Sequence, residues 1–95
     1  MVDTQDNSVV KDFVIKNKFG LHARAASLFV QLANRFSCDI SVMKNGQEVN
    51  GKSIMGILIL AAAHGAVITV KAFGPDAQSA VDSIGGLIED RFGEE

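Results

Sequence analysis

Residues 38–44 alternate in polarity. Cys38, Ile40 and Val42 fall on one side and Asp39, Ser41 and Met43 on the other, the period of a half-buried strand. Asn45 and Gly46 follow at once, and both tolerate the positive φ that a two-residue hairpin turn needs. Residues 47–50 then run back beside 38–44, so this part of the chain is committed to antiparallel pairing. An isolated hairpin is marginal in water, and the remaining segments must cover its apolar side. Residues 9–16 (Val-Val-Lys-Asp-Phe-Val-Ile-Lys) and 66–73 (Ala-Val-Ile-Thr-Val-Lys-Ala-Phe) are rich in β-branched and aromatic side chains and read as two further strands.

Three segments carry helical spacing. From Ala23 to about Phe36, the positions Leu28, Phe29, Leu32, Ala33 and Phe36 recur on one face. Ser53 is placed to cap a compact apolar helix over 54–63, with Gly65 as its left-handed terminator and His64 as a C-terminal cap residue. Gly74-Pro75 turns the chain, and Asp76 is the natural cap of a last helix with an inner stripe of Ala77, Ala80, Val81, Ile84, Leu87 and Ile88. Gly85 and Gly86 each cost that helix about 1 kcal/mol against alanine, which close packing on the sheet would justify. Cys38 reads as a small core residue, and the acidic residues Glu89, Asp90, Glu94 and Glu95 as a solvated face. The order βαββαβα predicts an α+β class with an antiparallel sheet and helices gathered on one side. The 95 residues make one domain, with residues 1–8 as a polar lead-in.

Charge and composition exclude several classes. Nine Lys and Arg against eleven Asp and Glu leave a net charge of −2, a poor basis for binding nucleic acid. No Trp and no Tyr leave few platforms for stacking bases. Cys38 is the one cysteine, so no internal disulfide can form, and no Cys/His cluster has zinc-site spacing; neither a metal nor a cofactor is expected. The N-terminus is acidic and polar rather than signal-like, and the apolar run 54–63 is too short to cross a bilayer. A cytoplasmic location with no membrane insertion is the expectation.

Two segments can carry chemistry. In Gly20-Leu21-His22-Ala23-Arg24-Ala25-Ala26, His22 stands where a glycine break gives way to a helix. The free N–H groups near Ala23 and Arg24, at the positive end of the helix dipole, form an anion cradle. Arg24 adds a guanidinium fork suited to phosphate oxygens. The same positive surroundings favour the neutral imidazole, leaving a ring nitrogen free as a nucleophile for temporary storage of a phosphoryl group. The plain alternative is a solvated histidine at a helix start.

The second segment is Asn50-Gly51-Lys52-Ser53-Ile54-Met55-Gly56-Ile57-Leu58. Ser53 reads first as an N-cap, and a phosphate added there would sit at a positive helix end. Gly46 through Ser53 formally matches a P-loop, but Gly46 belongs to the hairpin and no buried parallel strand precedes it, which argues against nucleotide hydrolysis. A helix apolar all round cannot bury every side on one sheet. Ile54, Met55 and Leu58 are therefore candidates for an exposed partner-binding patch.

Taken together, the two segments resemble the phosphocarrier protein HPr family of the bacterial phosphoenolpyruvate-dependent phosphotransferase system, over about residues 9 to 92. Gly20-Leu21-His22-Ala23-Arg24 is similar to the family's histidine motif and Gly51-Lys52-Ser53-Ile54-Met55-Gly56 to its serine motif. The resemblance implies an open-faced sandwich of four antiparallel strands with three helices on one side. It implies that His22 accepts a phosphoryl group on Nδ1 from phospho-Enzyme I and passes it to Enzyme IIA domains, with Arg24 and backbone amides steadying the phosphate. It further implies a regulatory mark on Ser53, placed by an HPr kinase/phosphorylase, and a chain that acts as a phosphoryl carrier rather than a self-contained enzyme. A monomer is expected. One departure from the family pattern is Ala25, where many members have proline; alanine suits the helix but fixes its start less firmly. Two other classes compete. One is a regulatory binding module controlled by Ser53 phosphorylation, which would survive loss of His22. The other is a ferredoxin-like RNA- or ligand-binding domain, disfavoured by the negative charge.

Overall fold

The structure, a computed structural model, describes residues 7–94. The expected hairpin forms as read: β2 (Asp39–Lys44) pairs with β3 (Gln47–Asn50), with Ser41 opposite Asn50 and Lys44 opposite Gln47. Asn45 and Gly46 turn the chain with φ of 51° and 82°. β4 (Val67–Phe73) pairs antiparallel with β2 on one side and with β1 (Ser8–Val14) on the other, giving the order β1-β4-β2-β3. Ser8, expected in the lead-in, pairs with Phe73 at the end of β1, while residues 1–6 of that lead-in lie outside the described residues.

The three helices cover one face of this open sheet. Phe13, Ile40, Val42, Ile68, Val70 and Ala72 point into the core beneath them, and the alternate positions Val10, Val14, Val67 and Phe73 are exposed. α1 (Ala23–Ala33) buries Ala25, Ala26, Phe29 and Ala33. It stops three residues before Phe36 because its end tightens into i→i−3 bonds, Arg35 N–H to Leu32 O and Phe36 N–H to Ala33 O. The Asn34 amide also donates to the carbonyls of Val30 and Lys52.

α2 (Ile54–Leu60) is shorter than expected. Ala61, not Gly65, takes the left-handed terminal position, with φ 50°. Gly65 instead turns the chain into β4, donating its N–H to Ile15 O. His64 therefore lies beyond the helix cap, exposed in that turn, and is not a cap residue.

α3 (Ala77–Glu89) buries Ala77, Ala80, Val81, Ile84 and Ile88 as the stripe predicts, with Leu87 half-buried. Gly85 lies against β1, where a Cβ would stand 2.8 Å from Phe13 Cε1; nothing lies within 4 Å of a Cβ at Gly86, so only the first glycine serves packing. The Asp76 side chain does not cap α3. It reaches across to the loop before β2, accepting from the N–H groups of Ser37 and Cys38, both at 2.9 Å. The Ser37 N–H, and then the other bonds from Ser37 and Cys38, hold its carboxyl below the ordinary range. Cys38 is buried as expected, and burial followed by the neighbouring Asp76 pushes its thiol up to about 11.

Candidate phosphoryl-accepting site

The loop between β1 and α1 is built around a buried amide. Asn17 is fully buried, and its Nδ2 donates to Gly20 O at 2.7 Å and to Glu94 Oε2 at 2.8 Å. Gly20 takes φ +66° and passes directly over the segment after α2; a Cβ there would meet Ala62 O at 2.4 Å and Ala63 Cα at 2.9 Å. Leu21, buried, fixes the crossing by donating its N–H to Ala62 O at 2.8 Å. The chain then reaches His22 in the N-cap position of α1, with extended backbone (φ −75°, ψ −179°), and its carbonyl accepts the Ala26 N–H.

No side chain caps α1. Its first N–H groups, around Ala23 and Arg24, therefore keep the anion-binding capacity read from the sequence. The His22 ring is about one-third exposed and meets the Phe19 ring edge-on, centroids 5.8 Å apart. Its Nε2 lies 2.8 Å from Glu94 Oε2, and no hydrogen bond holds Nδ1 among the described residues. The surroundings are thus not purely positive, as the sequence suggested.

Glu94 is the principal correction. The sequence placed it on a solvated acidic face, but its side chain is only 12% exposed and reaches the site. A single 3₁₀ turn (Arg91–Gly93) after α3 folds the tail back with φ of 57°, 54° and 75° at Arg91, Phe92 and Gly93. L side chains rarely adopt that conformation, and the burial of Phe92 to 1% exposure holds it. The hydrogen bond from His22, then that from Asn17 and the Phe19 N–H, keep the Glu94 carboxyl below its ordinary range against the effect of burial. The other acidic residues behave as expected or lie beyond view: Glu89 and Asp90 are exposed, Glu89 in an ion pair with Lys16, and Glu95 is outside the described residues. Arg24 is exposed and donates Nη1–H to Phe92 O at 3.0 Å, so its guanidinium holds the tail rather than touching His22.

Ser53 caps α2 as read, its Oγ accepting the Gly56 N–H at 3.1 Å. Lys52 is turned away and donates Nζ–H to Phe36 O. Ile57 and Leu60 form the buried side of α2, leaving Ile54, Met55 and Leu58 exposed as expected, together with Ile59, which the sequence reading did not single out. Gly20 and Leu21 touch Ala62 and Ala63, just past the other end of α2. Ser53 and the histidine loop thus stand at opposite ends of α2, which is about 10 Å long at 1.5 Å per residue. The exposed apolar side chains lie between the two. Among the described residues, no three His, Cys, Asp or Glu gather to hold a metal, and no helix is long and apolar enough to cross a membrane.

The fold is thus an open-faced sandwich with a histidine at a helix start that no side chain caps and a serine that caps the neighbouring helix. A family model described as "PTS HPr component phosphorylation site" matches residues 9–90. The phosphocarrier protein HPr of Cupriavidus necator is 46% identical over 84 residues, covering 88% of this chain and 94% of that protein. The crystal structure of HPr-C-His from Thermoanaerobacter tengcongensis superposes with a TM-score of 0.89 at 48% identity, covering 92% of this chain and 98% of that one. A structure described as an HPr dimer from the same organism matches with a TM-score of 0.74 at 50% identity over 86% of this chain and 94% of that one. The chain belongs to the HPr phosphocarrier family of the phosphotransferase system.

Proposed function

We propose that the chain relays phosphoryl groups from phospho-Enzyme I through His22 to Enzyme IIA domains, working in the cytoplasm as a monomer. The observation that carries this reading is the state of the His22 ring. Nε2 is occupied by Glu94, and Nδ1 is left open beside the uncapped N-terminus of α1. A phosphoryl group on Nδ1 would be met by the N–H groups near Ala23 and Arg24 and by the helix dipole. Arg24 would add its charge by exchanging the Phe92 carbonyl for a phosphate oxygen. The exposed Ile54, Met55 and Leu58 offer docking area within reach of the histidine, while the partner supplies the rest of each active site.

Ser53 is the regulatory site in this reading, acted on by an HPr kinase/phosphorylase. Its phosphate would bring a charge of about −1.5 to −2 next to the apolar patch and weaken partners that dock there. Ser53→Asp slows phosphorylation of His22 by Enzyme I, and an unchanged rate removes the regulatory role.

Intact-mass analysis after incubation with phosphoenolpyruvate and Enzyme I tests the relay. One added, acid-labile phosphoryl group in the wild type and none in His22→Ala is the expected result. No addition to the wild type, with Enzyme I active on another carrier, refutes it. Size-exclusion chromatography of the same samples checks the monomer.

A further inference from the structure

We propose that Glu94 is a positioning residue for phosphoryl transfer at His22, fixing the imidazole in the tautomer whose nucleophilic lone pair lies on Nδ1. The inference rests on the relay reading above and adds to it the group that prepares the ring. An ionised carboxylate can only accept hydrogen bonds. At 2.8 Å from Glu94 Oε2, Nε2 must therefore carry the proton, and in the neutral ring that leaves Nδ1 bare. A free imidazole exchanges its proton between the two nitrogens, so a fixed tautomer keeps the whole population competent.

The carboxylate is itself held from several sides. Asn17, fully buried, splits its amide protons between Glu94 Oε2 and Gly20 O, tying the tail to the loop that carries His22. Buried Phe92 anchors the turn, and Arg24 holds its carbonyl. The second carboxylate oxygen, Oε1, is enclosed with no hydrogen-bond partner. Leaving it so weakens the fold, as does the unpartnered Asn17 Oδ1 beside it, and a role in the chemistry at His22 accounts for keeping the carboxylate there.

Basic side chains are nearby. Lys16 just past β1, Lys18 in the following loop, His64 in the turn before β4 and Arg91 in the 3₁₀ turn line a cavity of about 280 Å³ with Glu94. Among the described residues, however, the side chains that bond Glu94 are His22 and Asn17, and Lys16 pairs with Glu89.

The step balances without an external base. The Nδ1 lone pair attacks the phosphorus of the donor phosphohistidine, and the donor N–P bond breaks with its electron pair returning to the donor ring. Nδ1 carried no proton, so none has to leave. The His22 ring keeps Nε2–H and takes on positive charge, which the Glu94 carboxylate offsets. Onward transfer reverses the sequence: the acceptor nitrogen attacks, the Nδ1–P bond breaks and the pair returns to Nδ1.

The test combines nitrogen-15 NMR of the His22 ring with Enzyme I kinetics on the full chain, comparing wild type, Glu94→Gln and Glu94→Ala. The wild-type spectrum shows a protonated Nε2 and a bare Nδ1. Glu94→Gln, isosteric and still able to accept through its amide oxygen, keeps the tautomer. It lowers kcat by about tenfold, as expected when a charge-assisted bond becomes a neutral one, and leaves KM within about twofold. Glu94→Ala shows a mixed tautomer and a larger fall in kcat. A wild-type ring protonated on Nδ1, or a tautomer unmoved in Glu94→Ala, overturns the proposal. So does a rise in KM alone, which would make the tail a docking element. If the wild type accepts no phosphoryl group, the relay reading fails, and the ring spectra still decide whether Glu94 sets the tautomer.

Discussion

Gly20→Ala strikes the one crossing that places His22 over the end of α2, and its cost can be separated into parts. Glycine at φ +66° becomes alanine in a left-handed conformation, a penalty of about 1–2 kcal/mol. The new Cβ would also stand 2.4 Å from Ala62 O and 2.9 Å from Ala63 Cα. Ordinary C···O contacts begin near 3.3 Å, so the two backbones must part by roughly 1 Å. Neither contact is with a side chain that could rotate away. Parting them breaks the Leu21 N–H to Ala62 O bond, worth about 1 kcal/mol net, and overpacking adds roughly 1–3 kcal/mol. Gly46→Ala is the internal control: φ is +82° there, but nothing lies within 4 Å of a Cβ, so it carries the conformational penalty alone. Urea denaturation of both variants should therefore show a loss of about 1–2 kcal/mol for Gly46→Ala and about 3–6 kcal/mol for Gly20→Ala. Phosphoryl acceptance at His22, measured below the unfolding range, should fall in Gly20→Ala and hold in Gly46→Ala. Equal losses of stability would refute the reasoning, because they would mean the crossing yields without resistance.

Two further perturbations follow from the same geometry. Gly86→Ala should stabilise the protein by about 1 kcal/mol, raising Tm by roughly 4–8 °C, since it gains helix propensity in open space. Gly85→Ala gains the same propensity but drives a Cβ against the buried Phe13 ring, so it should melt below Gly86→Ala; coincident melting curves would contradict the packing. Acidification tests Glu94 and Asp76, whose carboxyls are both held below their ordinary values of 4.5 and 3.8. A depressed folded-state value means that the unfolded chain binds protons first, so this stabilisation is complete above about pH 4.5 and is lost as pH falls through the folded-state values. Urea titrations at pH 6 and pH 3 should therefore show a smaller acid loss for Glu94→Gln and for Asp76→Asn than for wild type; an acid loss equal to wild type's would remove either carboxylate from the account.

The parts of the fold legible in the sequence are those decided within a few residues. Asn45-Gly46 sets its own turn, Ser53 caps the helix that starts beside it, and the alternation of residues 38–44 requires only a face to bury. Errors arise where a distant group outbids a local preference. Asp76 has the ideal identity for a cap, yet two backbone N–H groups at Ser37 and Cys38, more than thirty residues away, take its carboxylate. Gly65 is the better left-handed residue, yet Ala61 occupies that position because the Ala62 carbonyl is needed by Leu21 and the Gly65 N–H by Ile15.

The candidate site divides along the same line. His22, Ala23, Arg24 and Ser53 were legible because helix starts and caps are local chemistry. Glu94 was not, since its contact with His22 spans seventy-two residues and depends on Arg91 and Phe92 adopting a backbone conformation that neither side chain favours. No propensity argument yields that turn, because its stability comes from burying Phe92 against a core assembled from the rest of the chain. The sequence held one clue: Phe92 stands beyond the apolar stripe of α3, among charges and before a glycine. An aromatic in that position is a poor fit to a solvated tail and a good fit to one folded back on the domain. Once Phe92 is buried, the short link through Gly93 leaves the Glu94 carboxylate within reach of both the histidine and the buried Asn17 amide. The tail is thereby part of the site.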